Sequence, residues 1–146
     1  MNRKLQVPER MRQVNMRLEE MRLLRLAQAE RQAAAARQEW DQVRDERQRA
    51  LAARLRAPLG RDWWLWQLYA EALQVAGKRV GERVEGLEAA VEQGRQEVRA
   101  AHQEQLRWDT LLRQRRAQIA VERQKVEQRQ LDEIGLQMRM RAGAGE

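Results

Sequence analysis

The sequence predicts an all-α fold, a two-helix antiparallel coiled-coil hairpin, and three observations predict it. The 146 residues are dominated by Ala, Arg, Gln, Glu and Leu, the composition of long helices. Gly (8) and Pro (2) are too few for a fold built on many tight turns. Apolar residues recur at steps of three and four over most of the chain, and one interruption, Ala57-Pro58-Leu59-Gly60-Arg61-Asp62, divides it.

The first helix is expected over 8–57. Pro8 suits a first helical turn, where its missing N–H matters little. No Gly or Pro follows until the bend. Met11, Val14, Leu18 and Met21 step by three and four. After a phase slip, Ala29, Ala33, Ala36, Trp40, Val43, Arg47 and Ala50 continue the stepping. The bend spans 58–62: Pro58 forces its predecessor out of helical geometry, Gly60 permits a positive φ, and Asp62 is placed to cap the next helix.

The second helical region is expected over 63–140, with a frayed tail at 141–146. Val84, Val91, Val98, Leu112, Ile119 and Val126 share one heptad position, which Gln105 interrupts. Leu87, Gly94, Ala101 and Trp108 hold the other, before Arg115 and Glu122 turn it polar. So narrow a seam is buried most naturally by pairing two helices. The region is longer than the first helix, and Gly77, Gly81 and Gly86 leave two options open: one continuous helix, or a short extra helix near the bend followed by a long one. The chain is read as a single elongated coiled-coil domain over 1–146.

Composition points away from catalysis. The chain has no Ser, no Cys and a lone His102, so the usual nucleophiles and a versatile general base are missing. There is no Gly-rich phosphate loop, and Asp132-Glu133 has no third companion to form a metal site. We expect no catalytic residue, no cofactor and no metal. No run is long and apolar enough for membrane insertion, and no signal-peptide stretch follows Met1, so a cytoplasmic protein is expected.

The charge is uneven. The net +7 divides as +4 in residues 1–31 (8 basic, 4 acidic), zero in 32–104 (12 of each) and +3 in 105–146 (9 basic, 6 acidic). In a hairpin both termini meet at one end, so that end is basic and invites an acidic partner. Nucleic acid is the poorer candidate, because carboxylates interleave with the arginines and no uninterrupted basic block exists. Trp63, Trp64, Trp66 and Tyr69 crowd the other end. Three tryptophans cannot all enter a two-helix seam, so at least one is expected to be exposed as a contact residue.

The run Glu122-Arg123-Gln124-Lys125-Val126-Glu127-Gln128-Arg129-Gln130-Leu131-Asp132-Glu133, with its Gln128-x-x-Leu131-Asp132-Glu133 core and short Arg-bearing tail, resembles the end of the FliJ/YscO family of type III secretion stalk proteins. Chain length, the two-helix layout and the aromatic start of the second helix are similar too. The resemblance implies a non-enzymatic, monomeric central stalk of the cytoplasmic export apparatus at the inner membrane. One end of it enters a hexameric export ATPase, and the stalk also contacts the export-gate protein and, in some members, secretion chaperones. On this reading Arg10, Arg12, Arg17, Arg123, Gln128, Asp132 and Glu133 face the ATPase, and Trp63, Trp64, Trp66 and Tyr69 form a second partner surface near the bend. The choice between a flagellar and an injectisome system stays open. The alternative is a generic coiled-coil adaptor or homodimeric scaffold.

Overall fold

The computed structural model describes residues 3–58 and 60–144, and they form two helices, α1 (Arg3–Arg56) and α2 (Arg61–Ala144), with no strand among them. The architecture is the expected all-α helical hairpin. Contacts divide the chain into unit 1, Met1–Arg17 with His102–Glu146, and unit 2, Leu18–Ala101.

Unit 2 contains the bend. α1 stops at Arg56 because Pro58 disfavours helical geometry in Ala57, whose own N–H still bonds back to the Ala53 carbonyl at 3.0 Å. Gly60 has φ +128°, open to a residue without Cβ, and its carbonyl accepts the Trp64 N–H at 3.2 Å. Gly60 therefore takes the capping position expected of Asp62. Asp62 lies within the first turn, where a negative charge complements the positive end of the helix dipole. Leu59 lies outside the described residues.

Antiparallel pairing in unit 2 follows from its cross-helix contacts. Arg37 pairs with Glu88 at 2.8 Å, Arg83 with Glu39, and Arg95 with Glu30 at 3.8 Å, so α2 numbers rise as α1 numbers fall. The core is small: Ala36, Val80 and Val84 are buried, with Trp40 and Leu87 packed against them. α2 is unbroken through Gly77, Gly81 and Gly86, which decides between the two options left open above. Two of these glycines make room instead. A Cβ on Gly81 would stand 3.2 Å from the Trp40 indole nitrogen, and one on Gly77 would stand 3.5 Å from Val43. A third small residue, Gly94, meets Leu26, whose Cβ is 3.8 Å from the position a Cβ would take.

Unit 1 is paired in the same sense. Arg12 Nε lies 2.7 Å from Asp109, Arg116 reaches Glu9 at 3.4 Å and Lys4 reaches Glu122 at 3.9 Å. α1 begins at Arg3, so Pro8 is not in its first turn. Within a helix, Pro8 leaves the carbonyl four residues earlier, that of Lys4, without its N–H donor. Arg115 of α2 fills the gap, donating Nη1–H to the Lys4 carbonyl at 2.7 Å. α2 stays helical through Ala144, past the expected fraying point; Gly145 and Glu146 lie outside the described residues.

The expected α1 seam is corrected over its first half. Met11, Val14, Leu18 and Met21 are 37–51 % exposed, and no phase slip occurs. The buried and half-buried positions there are Leu5, Pro8, Glu9, Arg12 and Asn15 in unit 1, and Glu19, Arg22 and Leu26 in unit 2. The physical reason is continuity. α1 is one regular helix, so the 3–4 stepping that buries Ala36 and Ala50 runs on without rotating to follow the apolar residues.

Candidate functional site

The expected contact residues of the basic end all lie in unit 1. This unit carries 14 basic and 8 acidic side chains, and therefore six of the seven net positive charges. Arg10 and Arg17 are exposed on α1. Arg12 is half-buried and paired with Asp109 across the seam, so its charge is engaged within the chain. On α2, Arg123, Gln128, Asp132 and Glu133 are all exposed, and Gln128 donates its amide N–H to Asp132 at 3.4 Å.

These residues do not form one patch. Arg10 and Arg17 sit beside the paired stretch of α2, whereas Arg123 to Glu133 lie beyond the Lys4–Glu122 contact. The distance along the axis from the level of Arg17 to Glu133 is on the order of 40 Å at ~1.5 Å per residue. From Ala120 to Ala144 every α2 residue is exposed, including Val121, Val126, Leu131, Ile134, Met138 and Met140. Most of a helix's stability in a protein comes from packing its apolar face, so covering this face would stabilise it.

The unit 1 seam mixes apolar and polar groups, with Leu112 and Ile119 buried in it beside several polar side chains. Arg12, Asn15, Gln105, Trp108 and Arg115 occupy it, and Gln105 is 8 % exposed. Asn15 Nδ2, Gln105 Oε1 and Trp108 Nε1 are buried without a hydrogen-bond partner. From Arg12 opposite Asp109, three residues up α1 and four down α2 bring Asn15 level with Gln105. Each unpaired buried group costs about 1–3 kcal/mol, so the seam holds these helices less tightly than an apolar one would.

Near the bend, in unit 2, the aromatic residues separate by role. Trp63 is half-buried, with the Arg54 guanidinium 5.7 Å above its ring, while Arg54 also donates to Gln67. It is part of the packing rather than an open contact. Trp64 meets Trp63 edge-on at 5.7 Å and is 58 % exposed. Trp66 and Tyr69 form an edge-on pair at 6.2 Å, and both are exposed. Tyr69 donates its hydroxyl proton to Glu46 at 3.0 Å, and this bond, with the added carboxylate charge, holds its pKa above the usual 10.0. The surface extends beyond the tryptophans to Leu65, Leu68 and Val75, all more than half exposed. Their 3-and-4 spacing, read through Ala72, was the signal for that second stripe.

No family model, curated protein or solved structure matches the chain. No group of three or more potential metal ligands occurs among the described residues, and no helix is long and apolar enough to cross a membrane. What these surfaces offer is exposed apolar rows, exposed aromatic rings and a localised positive charge. Those are the means of binding another macromolecule.

Proposed function

We propose that this chain is a non-enzymatic stalk of a bacterial type III secretion system, acting in the cytoplasm at the inner-membrane export apparatus. Its basic unit engages a hexameric export ATPase and promotes turnover, and the aromatic surface near the bend contacts a second component such as the export-gate protein. Secretion chaperones are further candidate partners. The observation that carries this reading is the coincidence, in unit 1, of six net positive charges with an α2 segment covered by nothing from residue 120 to 144. The resemblance of the Glu122–Glu133 run to the FliJ/YscO family supports it as well.

On this proposal the ATPase contacts are Arg10, Arg17, Arg123, Gln128, Asp132 and Glu133. Arg12 contributes by fixing α1 against Asp109. Trp64, Trp66 and Tyr69 are the second surface, supported from beneath by Trp63. A second reading, a coiled-coil scaffold that dimerises, is favoured by the exposed row Leu131, Ile134 and Met138 on α2.

Stimulation of a purified export ATPase tests the proposal. The intact chain raises turnover, and charge reversal at Arg10, Arg17 and Arg123 together weakens the effect while helicity is unchanged. No stimulation by the intact chain, together with a stable dimer in sedimentation, would move the reading to the scaffold.

A further inference from the structure

Within unit 1, the first turns of α1 present two parallel rows to solvent. Val7, Met11 and Val14 recur at steps of four and three and are 65, 37 and 49 % exposed. Along one edge of this row, Arg3, Arg10 and Arg17 recur every seven residues, all exposed. Among the described residues none of these three arginines has an ion pair. Within unit 1 the carboxylates beside α1 are engaged across the seam: Glu9 with Arg116, Asp109 with Arg12 and Glu122 with Lys4; Glu20, three residues past Arg17, falls in unit 2. The other edge of the row is Pro8, buried, and Asn15, half-buried, both turned into the hairpin seam. The open border of the apolar row is therefore wholly basic.

We propose that this face of α1 takes an amphipathic helix of a partner protein whose apolar stripe is bordered by carboxylates. An apolar row with a charged border at heptad spacing is the pattern by which one helix selects another. The row supplies burial, and the border sets the sign of the partner's charge. The acidic border of the incoming helix meets Arg3, Arg10 and Arg17 while its stripe covers Val7, Met11 and Val14. A second copy of this same face is the poorer occupant. Laid antiparallel, it sets the three arginines against the same arginines; laid parallel, it offers them Pro8 and Asn15. Neither arrangement supplies a carboxylate. This proposal describes what the basic unit recognises, but it stands apart from the secretion reading, because a helix can bind here whatever protein carries it.

The test uses the full chain and three synthetic peptides. Two share one Leu/Val heptad stripe, bordered by Glu in the first and by Lys in the second; the third is a scrambled form of the Glu peptide. Fluorescence anisotropy should show the Glu peptide binding, with an affinity that falls as salt rises. An R3E/R10E/R17E variant with unchanged helicity should bind the Glu peptide about tenfold or more weakly and gain affinity for the Lys peptide, since three exposed pairs change from attraction to repulsion. A Met11→Glu substitution should weaken both. Backbone NMR shifts on Glu-peptide binding should centre on residues 3–17. Equal binding of the scrambled peptide would reduce the effect to general attraction for polyanions and overturn the proposal. So would the absence of binding by either patterned peptide, shifts centred away from α1, or a chain that sediments as a dimer with this face occluded. Loss of ATPase stimulation alongside retained peptide binding would sink the secretion reading and leave this one standing.

Discussion

The hairpin can be locked by a single covalent bond, and the consequence is calculable. A Cβ on Gly94 would lie 3.8 Å from the Leu26 Cβ, which matches the separation found in disulfides. The natural chain has no cysteine, so a Leu26→Cys, Gly94→Cys double variant contains only the two engineered thiols. Closing a loop of about 69 residues removes unfolded-state entropy worth about 4 kcal/mol at 25 °C, less any strain introduced. For a chain of this size that corresponds to a rise in melting temperature on the order of 10 °C. The assay is dilute air oxidation, non-reducing electrophoresis and thermal melting followed by circular dichroism, with and without reductant. A Leu26→Cys, Gly86→Cys pair is the control. Gly86 has open space where its Cβ would be and lies eight residues, roughly 12 Å, from the right level. It should not close within one chain. If the Leu26/Gly94 pair forms only intermolecular bonds, or the control closes as readily, α1 and α2 do not pair in this register.

Four further outcomes follow from particular residues. Gln105→Leu removes a buried, unpartnered amide oxygen from a seam position and should stabilise the chain by about 1–2 kcal/mol in urea denaturation. Gly86→Ala faces open space and should gain the helix propensity of Ala, about 0.5–1 kcal/mol, whereas Gly81→Ala sets a Cβ 3.2 Å from the Trp40 indole and should gain less or lose stability, with a change in tryptophan emission. The Tyr69 phenol should titrate above 10.0 by ultraviolet absorbance and return towards that value in Glu46→Gln. Because the folded state favours the protonated phenol, the stability this bond gives is present below pH 10 and is lost as pH rises through the raised value. In hydrogen exchange, seam amides of residues 105–119 should exchange faster than those of residues 77–91, because the unit 1 seam buries unpartnered polar groups at Asn15, Gln105 and Trp108 and the unit 2 core is apolar.

The α2 seam was legible because its signal is local and repetitive. Val84, Val91, Leu112 and Ile119 recur at multiples of seven and are buried, and Gln105 is buried among them as the same spacing requires. Val126 continues the series yet is half-exposed, four residues past the Lys4–Glu122 contact. The α1 seam was misread where apolar residues and helix phase disagree. Met11, Val14, Leu18 and Met21 make a convincing row, but phase is fixed by Ala36 and Trp40, which pack with Val80 and Val84 of α2, and by the buried Ala50. Counting back from them in unbroken steps arrives at Arg22, Asn15, Arg12 and Pro8 instead. The glycines and Pro8 were ambiguous for a related reason. Whether Gly81 breaks a helix or admits an indole depends on Trp40, and whether Pro8 can sit inside a helix depends on Arg115, more than a hundred residues away. Local propensity contains neither fact. For the candidate site, the basic end and the exposed tryptophans were legible from composition. The engagement of Arg12 was not, because it depends on which residue of α2 stands opposite.

In unit 1 the α1 row Val7, Met11 and Val14 faces water while Arg12 and Asn15 share the seam with Leu5 and Pro8. Rotating the pattern by one residue would bury Met11 and Val14 and free Arg12 and Asn15, strengthening the hairpin. The sequence instead keeps the apolar row exposed, borders it with unpaired arginines at heptad spacing, and uses Glu9, Asp109 and Glu122 to hold the seam together. On the proposed helix contact, the exposed row and the unpaired arginines gain from a partner that covers the row and supplies negative charge, and the surplus charge and the polar seam positions of unit 1 become one property.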